Sequence, residues 1–268
     1  VVAARRGDLI EAKRLFDSVL LEDPNHVRAR LNRCTTLMID QDHHAALDDV
    51  QFLLEAHPEL DLARLRRGEI MLSLGEWEEA ESNFRDVLSR RGKNPHALIQ
   101  LGAALVAQER LTEAEQPLNE AIRLDGDSAD GWYQRGLLYV AFGQFDGALS
   151  DFETAAKINR HHMNALLRIA AIHHENEDWD DAEAAWRNVL NVEPENRVAR
   201  RRIQDAIDGQ SRQKKAEVLT TSGAVEAAVE EPTEDESVEI PFVDDDDDDE
   251  EGVPDEEIPD FEFGFGTL

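Results

Sequence analysis

Nine histidines and one cysteine are the side chains of this 268-residue chain best suited to hold a metal or attack a substrate. Six of the histidines form adjacent pairs: His43/His44, His161/His162 and His173/His174. Neighbouring residues on a helix point about 100° apart, so such a pair is poorly placed to chelate one ion. His162 and His173 would be roughly 16 Å apart along a helix, and the ligand spacings of zinc or iron sites are absent. Cys34 has no second cysteine to pair with, which excludes a disulfide-stapled scaffold. There is no glycine-rich phosphate loop, and no Ser/His/Asp arrangement stands out from the pattern around it. Adjacent carboxylates such as Glu78-Glu79 and Asp180-Asp181 read as solvated faces. The expectation is a protein without a catalytic site, metal or cofactor, not an enzyme.

Charge narrows the partners. The formal net charge is −31. Residues 218–268 hold 20 acidic residues and no Lys or Arg, leaving 39 acids against 28 bases in the first 217. The body is therefore −11 and the last 51 residues −20. Nucleic acid and anionic membranes both select basic surface, so neither is expected as a partner. No run of 18 apolar residues occurs, so no membrane insertion is expected.

The elements that would position any site follow from a 34-residue period. Alanine recurs at Ala12, Ala46, Ala80, Ala114, Ala148 and Ala182. Four residues after each comes a large apolar side chain: Phe16, Val50, Phe84, Leu118, Phe152 and Trp186. Twelve residues before each alanine from the second onward sits a small residue: Cys34, Gly68, Gly102, Gly136 and Ala170. Each period contains two helical runs of ordinary length, for example 130–142 and 145–158 with Gly143 between them. Asp146, Asp180 and Thr112 are expected to cap second helices. Pro24, Pro58, Pro194, Gly92 and Gly126 fall where a repeat must stop. Pro117 lies inside a helix and is expected to kink it.

This pattern resembles the tetratricopeptide repeat, with Trp132, Gly136, Tyr139, Ala148 and Phe152 matching the family signature in residues 129–162. The resemblance implies an all-α fold: a right-handed α-solenoid of helix–turn–helix repeats, followed here by an acidic C-terminal tail whose composition reads as disordered. The divisions are a truncated first repeat at 1–26, five full repeats over 27–196, a capping helix and basic linker at 197–217, and the tail at 218–268. Gly209 is expected to end the cap. One repeat cannot bury its own apolar face, so stability comes from neighbour interfaces.

The family lines a concave groove with its first helices and binds peptides there. Two residues before the small residue stand Asn32, Arg66, Gln100, Gln134, Arg168 and Arg202, all hydrogen-bond donors. In related arrays an asparagine ladder in this slot holds the backbone of an extended peptide. Three guanidiniums in the ladder would favour a carboxylate-bearing ligand. One residue earlier the slot is apolar, with Leu65, Ile99, Tyr133 and Leu167 among its members. The chaperone-binding carboxylate clamp of the family needs Lys and Asn in slots that hold Leu, Ile or Tyr here, so chaperone C-termini are not expected ligands.

The tail contains Phe242, Phe261, Phe263 and Phe265 among acids. It reads either as a solubilising segment or as a short binding motif that returns to the groove in cis. A flexible stretch of this length reaches roughly 40 Å, which suffices. The expected function is a protein–protein interaction scaffold that takes a partner's peptide segment, regulated by this tail. Two other readings stand beside it: an acidic-tailed chaperone or chelator of basic proteins, and the accessory repeat region of a larger enzyme. Self-association through the solenoid edges and a cytoplasmic location complete the expectations.

Overall fold

The structure is a computed structural model that describes residues 6–227, with side chains from 8 to 219. It divides into two units, the first containing the repeat array to Gly209 and the second beginning at Gln210. All regular structure among the described residues is helical: α1 (Arg6–Glu22), α2 (Val27–Ile39), α3 (His43–Ala56), α4 (Asp61–Leu74), α5 (Trp77–Arg91), α6 (Pro95–Ala107), α7 (Leu111–Leu124), α8 (Ala129–Ala141), α9 (Phe145–Ile158), α10 (Met163–Glu175), α11 (Trp179–Val192) and α12 (Arg197–Ala227). Helices pair as hairpins, α2 with α3 through α10 with α11, and each hairpin packs on the next. The array is an α-solenoid.

The periodic residues are its core. Ala46, Ala80, Ala114, Ala148 and Ala182 are all fully buried, as are Val50, Phe84, Leu118 and Phe152. A Cβ on Gly68 would lie 2.5 Å from the Phe84 ring, one on Gly102 2.4 Å from Leu118 Cγ, and one on Gly136 2.5 Å from the Phe152 ring. The small slot therefore exists because the large residue of the same hairpin occupies the space. Burying each such large side chain contributes about 2–3 kcal/mol. On α1 the slots equivalent to this core stand partly open: Val19 is 38% exposed, whereas Leu53 and Val87 in the same slot are buried.

Every full repeat turns between its two helices on one left-handed residue: Gln41, Gly75, Glu109, Gly143 and Glu177, with φ of 63°, 80°, 59°, 72° and 60°. Second helices begin at the apolar or aromatic residue ahead of the expected caps. Thus α7 starts at Leu111, α9 at Phe145 and α11 at Trp179, with Arg110, Gln144 and Asp178 as their N-caps. Asp146 and Asp180 instead sit in the first turn, where a negative charge favours the helix dipole. Pro117 is buried inside a continuous α7.

Two hydrogen-bond devices repeat with the period. Arg30, Arg64 and Arg200 donate to the carbonyls of Pro24, Pro58 and Pro194 at 2.8, 2.9 and 2.6 Å, and Trp132 Nε1 donates to the Gly126 carbonyl at 2.8 Å. Each pins the closing turn of one repeat to the first helix of the next. The second device is a strut. Arg33 holds Asp49 of its own hairpin through Nε at 2.7 Å and reaches back with Nη1 to Asp17 on α1, also at 2.7 Å. Arg135 does the same with Asp151 at 2.8 and 2.9 Å and with Asn119 on α7 at 2.9 Å.

The cap differs from expectation at Gly209. α12 runs through it to Ala227, past the 217/218 division. Gly209 is the contact point of the helix rather than its end, because a Cβ there would meet the Trp179 ring at 2.5 Å. The aromatic segments with Phe242, Phe261, Phe263 and Phe265 lie outside the described residues.

Candidate functional site

First helices of successive repeats touch one another, α2 with α4, α4 with α6 and α6 with α8, and second helices make no comparable contact. The first helices therefore line the inner side of the stack. On that side Asn32 is exposed, and Arg66, Gln100, Gln134, Arg168 and Arg202 are half-buried. The apolar row beside them is mostly closed: Leu65, Ile99 and Tyr133 are buried and only Leu167 stays half-open. Those three side chains belong to the core clusters and support the ladder from below. Tyr133 packs tilted against Phe152 and His162, with ring centres 5.6 and 4.9 Å apart. The accessible row is thus more polar than the sequence suggests.

The ladder's arginines are not equivalent. Arg66 Nη1 lies 2.5 Å from Glu69, one turn further along α4, and Glu69 also meets His96 Nε2 at 2.6 Å. Burial pushes the Glu69 carboxyl up, but the His96 hydrogen bond and the Arg66 guanidinium outweigh it and hold it below the usual carboxylate range. Arg66 therefore already has its anion. Further along, Asp130 faces His162 Nε2 at 3.2 Å, and that hydrogen bond holds the Asp130 carboxyl down.

The far end differs. Arg168 reaches the Tyr133 hydroxyl, whose ionisation burial pushes up. Arg202 Nη1 donates to His174 Nε2 at 3.3 Å and lies 3.9 Å from Asp205. Burial, then the Arg202 charge, pushes His174 down. Glu175, exposed at the end of α10, has its carboxyl pushed up by partial desolvation, a shift that Arg168 and Arg202 only partly offset. The sequence offers three arginines in this slot. The Arg66–Glu69 pair was legible as a spacing of three, but the closure by His96 from the next repeat was not.

Cys34 is fully buried, and burial pushes its thiol up to about 12, so it is inert packing in the small slot. Among the described residues no group of three or more His, Cys, Asp or Glu is placed to hold a metal, and no helix is long and apolar enough to cross a membrane.

This architecture defines an α-solenoid of stacked helical hairpins whose inner face carries a polar ladder. Tetratricopeptide repeat models match residues 65–129 and 139–203, and the array is a tetratricopeptide repeat array. Such arrays are protein-interaction scaffolds. The chain is similar to DnaJ homolog subfamily C member 3 of Bos taurus, 24% identical over 206 residues that cover 71% of this chain and 41% of that protein. It therefore spans about two fifths of that relative's length. Among solved structures it superposes on a thermophilic tetratricopeptide repeat protein of Thermus thermophilus, with a TM-score of 0.61 at 22% identity, covering 68% of this chain and 98% of that one. Yeast Tom70 superposes with a TM-score of 0.60 at 17% identity over 75% of this chain and 43% of its own.

Proposed function

We propose that this protein binds an extended peptide segment of a partner along the inner face of its first helices. The observation that carries the reading is the ladder Asn32, Arg66, Gln100, Gln134, Arg168 and Arg202: one slot, six successive first helices, always a donor and never fully buried. Donors repeating along a groove suit the carbonyls of an extended backbone. A ligand carboxylate belongs near Arg168 and Arg202, since Arg66 is neutralised by Glu69. The acidic tail regulates this face as a competitor in cis, its phenylalanines supplying apolar anchors and its carboxylates the charge.

A labelled peptide of residues 240–268, titrated by fluorescence anisotropy into residues 1–217, tests the reading. Saturable binding that weakens with salt, is lost in Arg168→Ala/Arg202→Ala and survives Arg66→Ala supports it. Binding indifferent to the two far arginines refutes the assignment.

A further inference from the structure

The strut that bridges neighbouring second helices is formed in two of the five full repeats; the second has Arg67 and Asn83 in its slots and the third Leu101 and Pro117. In the slot of Arg33 and Arg135, the fifth full repeat has Ile169, and in the slot of Asp49 and Asp151 it has Ala185. Glu153 stands where Asp17 and Asn119 accept the third bond. Where the strut is formed, at Arg33 and Arg135, the guanidinium links adjacent second helices, and Arg135 also stacks over the rings of Trp132 and Tyr139 at 4.9 and 5.6 Å. Without it, a groove of about 720 Å³ stays open between α9 and α11, floored by α10. Its apolar lining is Ala156, Leu166, Ile169, Ala184, Ala185 and Val192. That volume lies within the range of small-ligand and side-chain pockets.

The rim says what would enter. At the α9 end stand Lys157, Arg160 and His161. Arg160 and His161 are exposed, and their side chains have no hydrogen-bond or ion partner among the described residues. Lys157 meets Glu153 only at 3.5 Å. The other rim, on α11, offers Asp181 and the amides of Asn188 and Asn191. His173 in the wall turns its buried Nδ1 towards Asp178 Oδ2, 3.7 Å away.

We infer that this outer groove is a second docking site, for an acidic peptide of a partner protein that inserts one phenylalanine-sized side chain between α9 and α11 and lays a carboxylate against Arg160. It lies among second helices, on a surface distinct from the polar ladder, so both faces could be occupied at once.

The test is a titration of the nitrogen-15-labelled full-length chain with the capped peptide Glu-Glu-Phe-Glu-Glu, with alanine-centred and lysine-flanked versions as controls. The expected result is saturable amide shifts at Ala156, Ile169 and Ala185, with affinity at least tenfold weaker for both control peptides. The variant Ile169→Arg/Ala185→Asp rebuilds the strut found in other repeats and should abolish the shifts. Should that variant not fold, Arg160→Glu, a surface change, should weaken the acidic peptide at least threefold and favour the lysine-flanked one. Absence of saturable shifts in the groove overturns the inference. So do shifts that appear only around Arg168 and Arg202, an outcome that would leave the inner-face reading standing.

Discussion

Gly102→Ala and Gly131→Ala are the same chemical change on first helices of consecutive repeats, and they should move stability in opposite directions. A Cβ on Gly102 would lie 2.4 and 2.5 Å from Leu118 Cγ and Cδ2, where carbon atoms prefer about 3.5–4.0 Å. Leu118 is fully buried and cannot retreat without opening the hairpin by about 1 Å. Overpacking of this kind costs about 1–3 kcal/mol, and replacing a helical glycine returns about 1 kcal/mol, so the net is a destabilisation of up to about 2 kcal/mol. On Gly131 the nearest atoms, on Ile122 and Ile99, would be 3.5 Å away. That is ordinary contact, and the slot holds alanine in the other repeats at Ala29, Ala63, Ala97, Ala165 and Ala199. There the propensity gain stands nearly alone, and stability should rise by up to about 1 kcal/mol. Urea denaturation followed by tryptophan fluorescence, with hydrogen exchange of α6 and α7, reads both variants even if the array unfolds in stages. Leu118→Ala should suppress the Gly102→Ala penalty in a double-mutant cycle with coupling above about 0.5 kcal/mol. Equal signs for the two glycines, or additive effects in the cycle, would refute the close-approach explanation of the small slot.

Glu177→Gly places the residue found at Gly75 and Gly143 into a left-handed turn with φ of 60°; it should raise the urea midpoint, with a gain of about 0.5–1 kcal/mol. Asp151→Ala leaves the Arg135 guanidinium without its buried carboxylate and should destabilise by about 3 kcal/mol. Arg135→Ile/Asp151→Ala, which copies Ile169 and Ala185, should recover most of that loss in the same assay. Glu69 has its carboxyl held below the usual range, so its contribution is present above the unfolded value near 4.5 and is lost as pH falls through the folded one. Glu69→Gln should therefore flatten the stability profile below about pH 4.5, and an unchanged acid limb would exclude the Arg66–Glu69–His96 cluster as a stabilising unit.

The period made the array legible because its rule is steric and local: Gly102 and Leu118 are sixteen residues apart in one hairpin, and the sequence repeats their relation. Helix ends were less legible. Thr112, Asp146 and Asp180 have the chemistry of caps, yet packing of Leu111, Phe145 and Trp179 pulls the helix start ahead of them. Gly209 has the chemistry of a terminator but answers to a tryptophan thirty residues upstream. The polar ladder was readable as a slot, since every member shares one register. Its electrostatics were not, because Arg66 is neutralised partly through His96 on the next repeat, twenty-seven residues beyond Glu69. The outer groove was visible only as the exchange of Arg and Asp for Ile and Ala, which carries no meaning until the strut is seen elsewhere.

The struts also have a mechanical consequence. A stack in which each repeat touches only its neighbours behaves as a spring whose stiffness is set interface by interface. Cross-links such as Asp17–Arg33–Asp49 and Asn119–Arg135–Asp151 stiffen the outer rows against shear and stretch. Between α3 and α5, where Arg67 and Asn83 hold the strut slots, and between α9 and α11, where Ile169 and Ala185 do, no such tie is formed among the described residues, so compliance concentrates at those joints. Under load, or when a ligand draws the inner faces together, the array should flex first there, and the repeats between those joints should move as a stiffer segment.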